Sequence, residues 1–411
     1  MKKLLYISYC APYDGVRHAG GKTHNYYLKE IAKNENIDLL LLTFVANDEV
    51  NKIDLESYGI NHELIYYPRT SKEKIISKIM NFESKFNPFN RNGSFVSNYE
   101  SIAIRKRLSK LKEKGYRPDV ILLEWTQILF HLPFIKKCFP NAKVFTIEED
   151  VAFLGKMREA EKETKIFRRL IKYHKTNVQK KLEIEYLNNV DLVFTTNTKD
   201  KDILINNHVN SPIDILTPYF DDYRSCVYNP QGKDIVFFGA MDRPENNLSA
   251  LWFIDNVMPL LSKDYRYVVV GNKPSAELRH RANDRIIITG FVDDISTYFE
   301  KSLCFVSSLL LGAGIKVKVI EAMSSGIPVI CNDISIEGIQ CKDKEDFILC
   351  REIEDYVSAI KDVSRIEYAK KIGNNGKAFI ENNFNYMSDC IKLQQMIISY
   401  DNCSWKVCGD K

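Results

Sequence analysis

The chain predicts an α/β protein built as two successive doubly wound parallel-sheet domains. Three observations carry this. Near-continuous apolar β-type runs alternate with helix-period segments through both halves, and strands apolar on both sides belong to parallel sheets covered on each face. The alternation breaks once, around residues 221–233, where Tyr, Asn, Pro, Gln and Gly cluster. In the second half the β-type runs end on glycines (Gly239, Gly271, Gly290) or lead into a Gly-x-Gly turn (Gly312, Gly314). Ligands of such sheets sit beyond the carboxyl ends of the strands.

In chain order, residues 3–8 read as a first strand and 23–32 as a helix. Strands follow at 38–44, near 63–67, at 120–124, 143–147 and 191–195, with helices between. The second half opens with a strand at 234–238 and a helix at 250–261, then strands at 267–270 and 286–289. A strand at 304–311, a helix at 316–325 and a strand at 329–331 form one unit, the helix stopped by Gly326 and Pro328. A run at 347–350 precedes closing helices at 352–363, 368–382 and 387–400. The domains are read as 1–225 and 226–386, with the final helical segment 387–411 returning to the first domain.

Bulk properties fit this reading and exclude others. The 411 residues are 45% hydrophobic and 27% charged, ordinary for a globular protein. A net charge of +4 is too small to argue for nucleic acid, and no nucleic-acid-binding motif accompanies it. The ten cysteines are scattered with no Cys-x-x-Cys, which reads as reduced, buried thiols in a cytosolic protein. Apolar runs such as 39–45 fall far short of the about 18–20 residues of a membrane span. The apolar start breaks at Pro12-Tyr13-Asp14-Gly15, so it reads as a strand and not a signal peptide, and the expected location is cytoplasmic. The one Asp-x-Asp, Asp200-Lys201-Asp202, opens a helix, where capping explains it. The seven His residues lack ligand spacing, so no metal site is expected.

The stretch 304–332 carries the chemistry. Backbone amides at a helix start, with the dipole behind them, form a natural phosphate site, and Gly312 and Gly314 let an anion approach. Lys316 adds a full charge there. Glu321, just over one turn into the helix, is placed to accept hydrogen bonds from sugar hydroxyls. Phosphate clamp plus hydroxyl acceptor points to a nucleotide-sugar site; the plainer alternative is one more strand–loop–helix unit that binds nothing. The whole string Glu321-Ala322-Met323-Ser324-Ser325-Gly326-Ile327-Pro328-Val329 resembles the donor motif of the family 4 retaining glycosyltransferases, in the subgroup reading Gly-Ala-Gly-Ile-Lys. That resemblance implies the GT-B fold, two Rossmann-like domains facing a central cleft.

It also implies roles. Glu321 holds the donor ribose. Lys316 and Arg243 stabilise the departing diphosphate, and Gly312, Ala313, Gly314, Ile315 and Val317 surround it. Ala313 stands where the family often has a Glu. Residues 239–253 are similar to a family form containing Gly239, Met241, Pro244, Asn246, Trp252 and Phe253, which brings Gly239 and Asn246 to the donor. Phe291 and Val292, after Gly290, correspond to the turn that holds the base. Gly20 and Gly21, ahead of the first helix, look like the glycine loop of the first domain, with Lys22 and His24 in the next turn. A His there is more often merely exposed. Aligning Asp150-Val151 with the family pattern puts Glu149 at the position of a family His near the donor sugar; a helix N-terminal acid is the equal alternative. Residues 123–127, Leu-Glu-Trp-Thr-Gln, end a strand on the same side.

The expected function is therefore metal-independent, retaining transfer of a hexosyl unit from a UDP- or GDP-sugar, with no other cofactor, to a glycan or lipid-linked acceptor in surface-polysaccharide synthesis. Ala313 and Glu149 motivate a rival, a GT-B module that binds nucleotide sugar without turnover; a GT-B sugar-nucleotide epimerase is a second. Two basic, aromatic-rich stretches, 69–117 and 156–181, read as solvated helix faces or as docking surfaces for an anionic membrane leaflet.

Overall fold

The computed structural model describes residues 1–16, 18–68, 73–75, 78, 96–312 and 314–400. The chain divides into two units, one of Met1–Thr217 with the segment from Tyr386 onward, the other Pro218–Asn385. The boundary falls slightly upstream of the loop-forming cluster at 221–233.

The first unit holds strands β1 (Lys2–Ser8), β2 (Ile37–Val45), β3 (Asn61–Tyr66), β4 (Val120–Glu124), β5 (Lys143–Glu148), β6 (Leu192–Thr195) and β7 (Ile213–Ile215). They form one parallel sheet in the order β3-β2-β1-β4-β5-β6-β7. Its described helices are α1 (Ala19–Ala32), α2 (Asn98–Glu113), α3 (Thr126–Leu129), α4 (Leu132–Cys138), α5 (Ala152–Glu161), α6 (Ile166–Leu187) and α7 (Thr198–Asn206). The strands bury both faces. Leu5 and Ile7 of β1 and Ile121 and Leu123 of β4 pack with Ile104 and Leu108 of α2 in one core, each such side chain contributing roughly 1.5–3 kcal/mol.

The second unit holds β8 (Asp234–Phe238), α8 (Pro244–Asn256), β9 (Arg266–Val270), α9 (Ala276–His280), β10 (Ile286–Gly290), α10 (Ser296–Lys301), β11 (Cys304–Ser307), α11 (Val317–Ser325), β12 (Val329–Cys331), β13 (Ile348–Leu349), α12 (Ile353–Val363) and α13 (Ile366–Asn383). Its sheet is also parallel, ordered β10-β9-β8-β11-β12-β13. A last helix, α14 (Tyr386–Ser399), belongs to the first unit. There Asp389 accepts from the Thr217 backbone N–H at 2.9 Å, and the Tyr386 ring meets Tyr26 edge-on with centroids 5.0 Å apart.

Both sheets reverse direction once. The chain runs β1-β2-β3 to one edge and returns to place β4 beside β1; it repeats this with β8-β9-β10 and β11 beside β8. Such switch points open crevices at the strands' carboxyl ends, and the described candidate residues follow the ends of β1, β5, β8, β10 and β11.

Several element limits differ from expectation for local reasons. Helix α8 begins at Pro244, not 250, because Pro at the first helical position has no N–H to lose. The strand expected over 304–311 ends at Ser307, and side chains hold the chain beyond it. Ser335 Oγ accepts from the Leu309 N–H at 3.3 Å, and Asn332 Nδ2 donates to the Leu309 carbonyl at 2.8 Å. Helix α1 starts at Ala19, so Gly20 and Gly21 lie in its first turn and not ahead of it. His18 caps it, its Nδ1 accepting from the Gly21 N–H at 2.9 Å.

Candidate functional site

In the second unit, the switch point is lined by small residues that the packing requires. A Cβ on Gly239 would sit 2.7 Å from Asn246 Nδ2 and 3.0 Å from Lys318 Nζ. Gly271, with φ +155°, would place a Cβ 1.8 Å from the Gly239 carbonyl oxygen. Glycine at both strand ends brings bare backbone, Asn246 and Lys318 together.

Helix α11 starts at this crevice. Gly312 and Gly314 have φ of 136° and 66°, backbone open to glycine, and they turn the chain into the helix. Lys316 is the N-cap residue and gives no side-chain cap, so the first-turn amides and the dipole face the crevice. The helix is anchored by Val319, Ile320, Ala322 and Met323, all buried, and Gly326 ends it in the left-handed region at φ 83°. Lys316 folds over the loop, its Nζ donating to the Gly314 carbonyl at 2.5 Å, with Glu337 Oε2 at 3.8 Å. Ile315 is half-buried and Val317 buried as the first helical residue. Ala313 lies outside the described residues.

Lys318 is the residue that sequence reading missed. Its ammonium donates to Asn246 Oδ1, Asn246 Nδ2 donates to the Ala240 carbonyl at 2.9 Å, and the ring of Phe237 lies 5.1 Å from Nζ. Burial is the main cause that pushes the Lys318 pKa down to about 7, helped by the nearby charges of Arg243 and Lys316 and opposed by Glu245 and Glu321. The signal was present: a lysine between Val317 and Val319 in an otherwise apolar helix start.

Glu321 is buried one turn deeper, its Oε1 accepting from the Asp221 N–H at 3.3 Å. Arg243 stands at the mouth as the N-cap residue of α8, more than half exposed and paired with Glu245 at 2.8 Å. Phe291, 68% exposed, follows Gly290 at the end of β10 with half-buried Val292. An apolar ring in water at a strand end is a ready face for a flat group.

The first unit's switch point carries a different chemistry. Glu124 ends β4, Glu148 ends β5, and Glu149 follows it. Tyr6 of β1 donates its O–H to Glu124 Oε2 at 2.5 Å, and Glu124 is hydrogen-bonded to Glu149. Burial first, then the Glu149 charge, hold Glu124 well above the usual carboxylate range. It is thus the protonated member of the pair. Burial also raises Glu148 to about 8 and Glu149 to about 7. Glu149 Oε2 would lie 3.3 Å from a Cβ on Gly20, and Trp125 Nε1 3.6 Å from it, so Gly20 keeps this corner open. Trp125 holds a left-handed φ of 71°, strained for a bulky residue by roughly 1–3 kcal/mol. The alternative reading of Glu149 as a helix N-terminal acid does not describe it: α5 begins at Ala152 and the carboxyl points to Glu124 and Gly20.

His24 corrects an expectation. It is buried between Tyr6 and Trp125, ring centroids 5.1 and 5.2 Å away, and neither ring nitrogen has a hydrogen-bond partner. Burial, with a lesser push from His18, lowers its pKa to about 3, so it is a neutral packing ring. The Asp200 that opens α7 is held by Asn197, whose side chain caps the helix. Among the described residues, no group of three or more His, Cys, Asp or Glu is placed to hold a metal ion, and no helix is long and apolar enough to cross a membrane. The described cysteines are all free.

Against this geometry stand the relatives. Residues 232–365, which contain all of β8 to α12, match the family model described as Glycosyl transferases group 1. HepE from Anabaena, determined with UDP bound, superposes with a TM-score of 0.67 at 13% identity, covering 97% of this chain and all of that one. Sucrose-phosphate synthase from Thermosynechococcus elongatus also gives 0.67, at 14% identity over 98% and 99% of the two chains. A protein of Klebsiella pneumoniae, described as an uncharacterized 44.6 kDa protein in the cps region, is 23% identical over 180 residues. That match spans 41% of this chain and only about half, 46%, of its relative. The fold is GT-B, and the family match in the second unit supports a GT-B glycosyltransferase.

Proposed function

We propose that the protein is a retaining glycosyltransferase, independent of bound metal, that moves a hexosyl unit from a UDP- or GDP-sugar to a glycan or lipid-linked acceptor. The observation that carries the reading is the convergence at one switch point of the Gly312–Gly314 turn, the uncapped start of α11, two lysines and buried Glu321.

In this reading Glu321 accepts from the ribose hydroxyls, and Phe291 and Val292 pack on the base. The bond between the sugar's anomeric carbon and the diphosphate breaks, its electron pair leaving with the phosphate. Lys316, Lys318, the α11 amides and Arg243 oppose that growing charge, the kind of effect expected to dominate catalysis. The acceptor oxygen attacks from the same face, and its proton passes to the leaving phosphate. The Klebsiella relative's place in a cps region and the UDP in HepE support polysaccharide synthesis from a nucleotide sugar, which we place in the cytoplasm.

The test is release of nucleoside diphosphate from a pooled set of UDP- and GDP-sugars, with and without glycan and lipid-linked acceptors. Acceptor-dependent release that Glu321→Ala with Lys316→Ala abolishes supports transfer. Binding without release in every combination supports a sensor, and acceptor-free conversion of the donor supports an epimerase.

A further inference from the structure

The N-terminal end of α6 is built unlike the rest of the first unit. Ile166, Phe167, Leu170 and Ile171 are 69%, 76%, 61% and 41% exposed, the densest group of large exposed apolar side chains among the described residues. They recur at i, i+1, i+4 and i+5, so at 3.6 residues per turn they share one face spanning about 140°. Of the residues that bury α6, Thr176, Gln179, Glu183 and Leu187 fall on the opposite side of the same wheel, and Leu182, three turns further along, borders the stripe's edge. The apolar stripe is therefore no extension of the core contact; it faces outward.

Its flanks are cationic. Between residues 164 and 175 stand Lys165, Arg168, Arg169, Lys172 and Lys175, and no acidic residue. On the wheel Arg169 borders one edge of the stripe and Arg168 and Lys175 the other. Lys172 reaches back to Glu163 at 2.9 Å, tying the α5–α6 turn to the helix. In the other basic stretch, Arg105 lies over the Phe134 ring and Arg107 faces Glu63. The part of that stretch at 69–72, 76–77 and 79–95 lies outside the described residues.

We propose that the first two turns of α6 dock the protein on an anionic lipid surface. An apolar stripe bordered by arginines and lysines is the pattern of a helix lying in the bilayer interface. Phe167 and Leu170 enter the headgroup–acyl boundary, and the arginines and lysines reach the phosphates by snorkelling. A protein partner would have to offer both an apolar groove and an acidic rim. An anionic leaflet supplies both without a specific fit. This assignment is independent of the nucleotide reading of the second unit.

The experiment is co-sedimentation of the full-length protein with vesicles of phosphatidylcholine containing phosphatidylglycerol, against vesicles of phosphatidylcholine alone. The wild type pellets with the anionic vesicles, less so as salt rises. Phe167→Ser with Leu170→Ser lowers the partition coefficient at least about tenfold. Arg168→Gln with Arg169→Gln lowers it about fivefold per residue. Both pairs keep the wild-type melting temperature and any UDP- or GDP-induced rise in it, since the residues are exposed. Wild-type protein left in the supernatant, equal binding to both vesicles, or variants that bind as the wild type does would overturn the proposal. So would a solution dimer that the serine pair splits while neither form binds vesicles, because the stripe would then be a self-association face.

Discussion

Lys318 Nζ donates to Asn246 Oδ1, joining the first turn of α11 to the first turn of α8 across the switch point of the second sheet. With the ring of Phe237 beneath it and burial holding its pKa near 7, this lysine is a cation that the fold keeps short of partners. An anion arriving at Gly239 and the α11 amides completes its shell. Lys318→Met therefore weakens UDP or GDP binding at least about tenfold, the scale of one lost charge-assisted hydrogen bond, while leaving the free protein as stable or more so. Calorimetric titration and thermal melting, read together, check both halves.

The same lysine sets a pH dependence. A diphosphate beside it favours the charged form, so binding draws in a proton wherever Lys318 is part-neutral. Affinity then falls as pH rises from about 7 toward about 9. Titrations in buffers of different ionisation enthalpy report the uptake directly, and Lys318→Met removes it. A wild-type protein binding with no net proton uptake at pH 8 would argue against this role.

Gly271 and Gly290 separate clash from strain. A Cβ at Gly271 meets the Gly239 oxygen at 1.8 Å, whereas at Gly290, φ +75°, nothing lies within 4 Å. Gly290→Ala costs about 1 kcal/mol of backbone strain alone. Gly271→Ala costs more than about 3 kcal/mol and distorts the Gly239 corner. Equal melting temperatures for the two would contradict this packing.

In the first unit, Glu124 donates to Glu149 and accepts from Tyr6. Glu124→Gln keeps a donor and an acceptor and is tolerated. Glu124→Ala leaves Tyr6 and Glu149 unsatisfied and costs about 2–4 kcal/mol. Urea unfolding of both variants is the comparison, and indistinguishable midpoints would show that the network contributes nothing.

Glu148 and Glu149, raised to about 8 and about 7 from 4.5, bind protons in the folded state that the unfolded chain has released. Their contribution is present in full below about pH 4.5 and is lost as pH rises through 7 and 8. The first unit thus loses stability between about pH 5 and 9, and Glu149→Gln flattens that slope. Melting across this range gives the sign; a slope unchanged in the variant would mean Glu149 titrates normally.

The fold was legible because both sheets are parallel and doubly covered, so each strand wrote itself as an apolar run, and the one loop-rich break fell close to the boundary. The second-unit candidates were legible because they are consecutive: Gly312, Lys316 and Glu321 lie within one turn-and-helix. What escaped depends on contacts between distant segments. Lys318 becomes notable only beside Asn246, and Glu124 only beside Tyr6 and Glu149. His24 looked like a surface helix residue because nothing local shows that Tyr6 and Trp125 enclose it. Sequence alone also leaves open whether exposed Phe167 and Leu170 point to core or to water, since that depends on which face of α6 packs.

The most direct test is titration of UDP and GDP into the wild type, Glu321→Ala and Lys316→Ala with Lys318→Met. Saturable binding of one nucleotide by the wild type, weakened at least about tenfold in each variant with the fold intact, is the predicted result. Failure of the wild type to bind either nucleotide, or variants that bind as tightly as the wild type, would contradict the assignment of the α11 crevice.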